Sequence, residues 1–178
     1  MVKKHQIAPF LNKAVGSDGL VNKTTPSWMR ICMSTAFDLN MNPETEDRDY
    51  ICDEAPTTEL KQYKPSFNTP LVMHKNEPDY EFIFGKFFNQ DTGDKAKSEL
   101  LLVFFQEPVD TTAANHSHFK AWRVDCTIIL SDLNSVDSTL SFDTNFAGTV
   151  KKGYVTIETG AISAFTEGDY SVTQAPSD

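Results

Sequence analysis

The sequence predicts a mainly antiparallel β domain with one flanking α-helix, on three observations. From Phe119 to Phe146 the chain alternates: Trp122, Val124, Cys126, Ile128 and Leu130 share one side, and Arg123, Asp125, Thr127 and Ile129 the other. From Asn76 to Asn89 the period changes. Tyr80, Ile83, Phe84, Phe87 and Phe88 fall at helical spacing as one apolar stripe. From Leu100 to Phe105 every side chain is apolar, the mark of a strand covered on both faces.

The elements follow in order. Residues 1–27 read as an N-terminal arm: Ile7, Phe10 and Leu11 cluster around Pro9, then Gly16, Gly19 and Pro26 break regular structure. Such a segment frays alone or docks on something. Residues 28–158 read as the folded domain. Trp28 to Met41 gives one or two strands, with Met29, Ile31 and Met33 on one face and Phe37, Leu39 and Met41 on the next. A protruding loop is expected around 42–70, carrying a short strand at Thr57–Tyr63. Pro65 and Pro70 argue for sheet edges there.

The predicted helix has Asn76 as its cap, Pro78 in its first turn, and Glu77 and Asp79 at the positive end of its dipole. Phe84 is the expected centre of its packing, and Gly85 the mark of a close contact. The strand at Phe119 turns through Ser131, Asp132, Asn134, Ser135, Asp137 and Ser138 into a second strand. That strand points Leu140, Phe142 and Phe146 inward and Ser141, Asp143 and Asn145 outward, and Gly148 interrupts it. Thr149–Glu158 forms a last strand, with Gly153 at a bulge. Residues 159–178 read as a flexible C-terminal tail.

Composition excludes several classes. With 178 residues, 39% of them apolar and 13 of them Phe, the chain buries a real core. A net charge of −9 disfavours gripping nucleic-acid phosphates, which needs an excess of Lys and Arg. No apolar run spans a bilayer, and the start shows no signal-peptide pattern. Cys32, Cys52 and Cys126 lack metal spacing and read as small core residues of a reducing compartment. There is no nucleophile elbow, phosphate loop, dinucleotide fingerprint or HExxH, so no catalytic residue, cofactor site or metal site is expected. The segment TGDKAKS (Thr92–Ser98) lacks the glycines of a phosphate loop. His116 and His118 form an HxH in a polar loop without further ligands, and read as solvated.

Charge is unevenly spread. Asp38 to Glu59 holds eight acids against Arg48 alone, whereas Met1 to Phe37 holds Lys3, Lys4, Lys13, Lys23 and Arg30 against Asp18. The acidic run lacks the calcium-loop pattern, and no sugar cleft supports paired catalytic carboxylates. The alternatives are solvated charges, pairing within one chain, or a head-to-tail match between copies, which generates rings or filaments.

Three segments carry a resemblance: FDLNMNPETEDRDYICDEAPTTELKQYKPSF (Phe37–Phe67), EPDYEFIFGKFF (Glu77–Phe88), and AWRVDCTIILSDLN followed by LSFDTNFAGTV (Ala121–Val150). They resemble the tail tube (major tail) proteins of prophages in Gram-positive bacteria and of related phage-tail-like particles, over Trp28 to Glu158. The resemblance implies a β-sandwich or barrel flanked by one helix, with subunits in stacked hexameric rings forming a channel for DNA delivery. It implies a virion-tail location after assembly in the host cytoplasm. The implied partners are further copies, the tape measure and tail tip, and DNA passing without sequence-specific binding. On this reading Arg123, Asp125, Thr127, Ser141, Asp143 and Asn145 are candidates to face the lumen. Phe10, Leu11, Tyr50, Ile51, Leu60 and Tyr63 are candidates for subunit contacts. The alternative is a β-sandwich binding module for a carbohydrate or receptor ligand, which predicts clustered exposed aromatics and a stable monomer.

Overall fold

A computed structural model describes residues 6–49, 51–52, 55–109 and 117–169. The fold is mainly antiparallel β with a single α-helix among these residues, as the alternation and the one helical stripe predict. The strands are β1 (Ile7–Asn12), β2 (Trp28–Arg30), β3 (Asp38–Asn40), β4 (Pro43–Arg48), β5 (Thr57–Tyr63), β6 (Ser66–Val72), β7 (Lys97–Pro108), β8 (His118–Asn134), β9 (Thr139–Phe146), β10 (Lys151–Glu158) and β11 (Ala161–Glu167). The helix α1 (Pro78–Asn89) and a 3-10 turn at Gly93–Ala96 lie between β6 and β7. Nine strands form one sheet in the order β2-β1-β7-β8-β9-β6-β3, with β10 also on β8 and β11 on β10; β4 and β5 pair separately.

The long strand β8 is the spine. β9 pairs with its Cys126–Asn134 part and β10 with its His118–Arg123 part. β9 and β10 therefore line one flank of β8 end to end, broken near Gly148, whose φ is +101°. The turn Ser135–Ser138 is held by Asn134, whose Oδ1 accepts from the N–H groups of Val136 and Asp137.

Two cores lie on opposite faces of this sheet. On the helix face Leu11, Ile31, Phe67, Leu71, Leu100, Val124, Cys126, Ile128, Leu140 and Phe142 pack under Ile83 of α1. On the open face Leu101, Val103, Ala121 and Val155 are buried by Phe10, Trp28, Phe105, Phe119, Ile162 and Phe165. All of these belong to or border the same sheet, so it curls around its own side chains. This is why β7 is apolar on both faces.

Several expectations are corrected. Of the segment 1–27, residues 1–5 lie outside the described residues, and the rest docks on its own chain instead of fraying: β1 sits inside the sheet between β2 and β7. Residues 161–167 are not a mobile tail but the strand β11, pairing along β10; residues 170–178 lie outside the described residues. Pro70 lies in β6, which β9 and β3 flank. Its carbonyl accepts from Thr35 N–H at 3.4 Å on the side away from β9, so the missing N–H costs no bond in the β9 ladder. Cys32 and Cys52 are exposed; only Cys126 is a core residue.

The helix is capped by the Glu77 backbone without a side-chain bond, while Asn76 takes a positive φ outside it. Asp79 is buried, and its carboxylate accepts from the N–H groups of Cys32 and Met33 at 2.9 and 3.0 Å, tying the helix start to the link after β2. Ile83, not Phe84, is the fully buried centre. The Phe84 ring lies among Tyr80, Phe87 and Phe88, and Phe88 is 75% exposed.

Candidate functional site

Two surfaces stand out, and both follow from the register of the strands. The first is the polar part of the open face. Thr127 pairs with Asn145, and Asp143 pairs with Asn68 of β6. Alternation then places Arg123, Asp125 and Thr127 of β8 on the same face as Ser141, Asp143 and Asn145 of β9. Asn68 donates to Asp143 at 2.8 Å, and Lys23 pairs with Asp125 at 2.6 Å. Arg123 is on this face but is not open to it. Its guanidinium donates to Glu99 through Nε at 3.0 Å and Nη2 at 2.7 Å, bonds the Lys23 carbonyl, and lies over the Trp28 ring.

Glu99 belongs to a network that sequence reasoning missed. The Asn12 amide nitrogen donates to Glu99 and to the Asn22 carbonyl, and its oxygen accepts from the N–H groups of Ala14 and Ser27. Asn12 and Glu99 are buried, and each finds charged or amide partners, as buried polar groups must. Together with Arg123 they staple the loop 13–27 onto the end of the polar face. The available signal was an acid and an amide at the ends of two apolar runs, Glu99 before Leu100 and Asn12 after Leu11.

The second surface is a projecting hairpin. Asn40 pairs with Ser66 and Pro43 with Tyr63, so β3–β4 and β5–β6 form one long hairpin broken at Met41–Asn42 and Lys64–Pro65. Asn42 holds the break: its φ is +42°, and its amide donates to the Lys64 carbonyl and to Ser66 Oγ. Beyond it, every residue of β5 is exposed. Seven strand residues extend about 20 Å, so the hairpin leaves the sheet as an arm.

The arm's charges answer one another. Glu46 pairs with Arg48 and Lys61, Glu59 with Arg48, and Glu44 with Lys64. Hydrogen bonds from Gln62 and then Lys64 hold the Glu44 carboxyl below the usual carboxylate range. Among the described residues, pairing within the chain thus occupies three of the eight acids of the run, Glu44, Glu46 and Glu59, as it does Lys23. Lys3 and Lys4 lie outside the described residues.

The six candidate contact residues separate. Leu11 is 0% exposed in the helix-face core and is not available to another subunit. Phe10 packs half-buried in the open-face core. Leu60 and Tyr63 are 49% and 52% exposed on the arm, and Ile51 at its tip is fully exposed. Tyr50 lies outside the described residues. His116 does too, while His118 sits in β8 against the Tyr154 ring. Among the described residues no cluster of His, Cys, Asp and Glu has metal-binding geometry, and no helix is long and apolar enough to cross a membrane.

No protein-family model and no curated protein sequence matches the chain. Two solved structures are similar in outline. One is the tail of an empty GTA particle with C6 symmetry, at 12% identity and TM-score 0.49, covering 84% of this chain and 97% of that one. The other is the six-fold symmetrised baseplate of the anti-feeding prophage, at 7% identity and TM-score 0.42, covering 85% and 95%.

Proposed function

We propose that this chain is a structural subunit of a phage-type tail, assembling with copies of itself as hexameric rings stacked into a tube that conducts DNA. The observation that carries the reading is the arm. A two-stranded hairpin leaves Leu60 and Tyr63 half exposed and Ile51 wholly exposed on its own chain, and a pair of strands standing alone is marginal in water. It needs a second surface, and another copy supplies one without a further partner. The segment resemblance at Phe37–Phe67, Glu77–Phe88 and Ala121–Val150 supports the same reading. On it, the polar face with Asp125, Thr127, Ser141, Asp143 and Asn145 lines the channel. With Asp125 paired to Lys23, Asp143 leaves this lining a small excess of acid, and a lining without spare cations lets DNA slide. Tape measure and tail tip are the expected neighbours, the virion tail is the location, and no side chain performs a reaction.

Negative-stain microscopy of concentrated protein, with and without a tail-tip seed, tests this. Tubes of uniform width are expected. A monomer that persists at every concentration and with every seed would overturn it.

A further inference from the structure

The geometry points to a neutral oligosaccharide site in an open groove on the helix face, beyond the region that α1 covers. Strand register builds it. Lys120 of β8 is flanked by Phe104 of β7 and Tyr154 of β10, and Trp122 by Lys152 of β10. Aromatic rings and ammonium groups thus alternate over adjacent rows of one face. The Phe104 and Trp122 rings meet edge to face at 5.3 Å, giving a fixed platform. Glu107, Asp169, Gly153 and Gly168 complete a groove of about 460 Å³, within the range of small-ligand sites. Gly153 lines it with backbone alone, and a Cβ there would lie 2.0 Å from the Thr166 carbonyl oxygen of the paired strand β11.

The charges decide the ligand class. Lys120 and Lys152 face Glu107 and Asp169, two cations against two anions, and Lys120 bonds Glu107 at 3.0 Å. A phosphate polymer needs an excess of cations, which this groove lacks. An apolar peptide needs a dry floor, and four charged groups prevent one. A neutral sugar presents C–H faces to aromatic rings and hydroxyls that both donate and accept, so it uses ammonium and carboxylate alike. The site uses neither the arm nor the polar face, so it stands apart from the assembly reading.

Saturation-transfer NMR on the full chain tests it, with chitotetraose and cellotetraose as probes. Transfer to at least one tetrasaccharide is expected, with a Kd of roughly 1 mM. Lys152→Ala and Trp122→Ala should each weaken it by about tenfold. Lys152 is exposed, so its variant keeps the fold and decides the matter should Trp122→Ala unfold. No transfer from either sugar at about 10 mM overturns the inference. So does binding that Lys152→Ala leaves unchanged, or salt-sensitive binding of oligothymidylate in their place.

Discussion

Cys126 shows how burial alone alters a residue's chemistry. Its thiol lies in the helix-face core, where desolvation first and the nearby Asp125 carboxylate second push its pKa up to about 12. An unfolded thiol ionises near 8.5. Between those values the folded state keeps a proton that the unfolded state releases. The stability tied to this proton is complete below about pH 8.5 and is lost as pH climbs towards 12, by up to about 1.4 kcal/mol per pH unit. Denaturant melts from pH 7 to 10.5 should show that decline, and Cys126→Ala should flatten it. The same burial predicts selective reactivity. Cys32 and Cys52 should react promptly with a thiol reagent at pH 8, and Cys126 only on unfolding. Three equally fast thiols in the native protein would contradict the buried position.

At the scale of single elements, the helix separates a residue that packs from one that does not. Ile83 is fully buried beneath the sheet, so Ile83→Ala should cost about 2–5 kcal/mol. Gly85 has nothing within 4 Å of where a Cβ would stand, so Gly85→Ala should stabilise the helix by about 0.5–1 kcal/mol. Calorimetry should register that as a rise in Tm of about 1–4 °C. Gly153 predicts the opposite. Its β10–β11 register shift falls at Thr156–Ile157, so Gly153 is not the bulge, yet the Thr166 carbonyl oxygen of the paired strand stands where its side chain would go. Gly153→Ala should cost about 1–3 kcal/mol, and loss of amide protection along β11 should reveal it.

These elements also mark what was legible. Period-two alternation disclosed β8, β9 and the face shared by Asp125 and Asn145, because alternation is local. The helical stripe disclosed α1 but not its rotation, since Ile83 and Phe84 are equally apolar and only the sheet's position chooses between them. Leu11 and the Asn12–Glu99–Arg123 network were hidden for another reason. Asn12 lies 87 residues from Glu99, and nothing in the first 27 residues announces that β7 awaits a strand.

For the whole molecule, the contrast between a doubly packed sheet and a bare arm sets the final expectation. The sheet buries Leu11 and Phe142 without help, while the arm presents Leu60, Tyr63 and Ile51 to solvent. Folding and association should therefore respond to different substitutions. The paired variant Leu60→Asp, Tyr63→Asp touches only exposed positions, so monomer stability should move by about 0.5 kcal/mol or less. Self-association measured by sedimentation velocity should be lost. Salt distinguishes what drives that contact. Raising ionic strength from about 0.1 to 1 M shortens the screening length from roughly 10 to 3 Å. The acids Glu44, Glu46 and Glu59 already pair with Arg48, Lys61 and Lys64 on the same arm, so the exposed Leu60, Tyr63 and Ile51 are expected to carry the contact between copies. Association should survive 1 M salt. Dissociation there, with the double variant still associating at low salt, would show that opposite charges on neighbouring copies hold the contact instead.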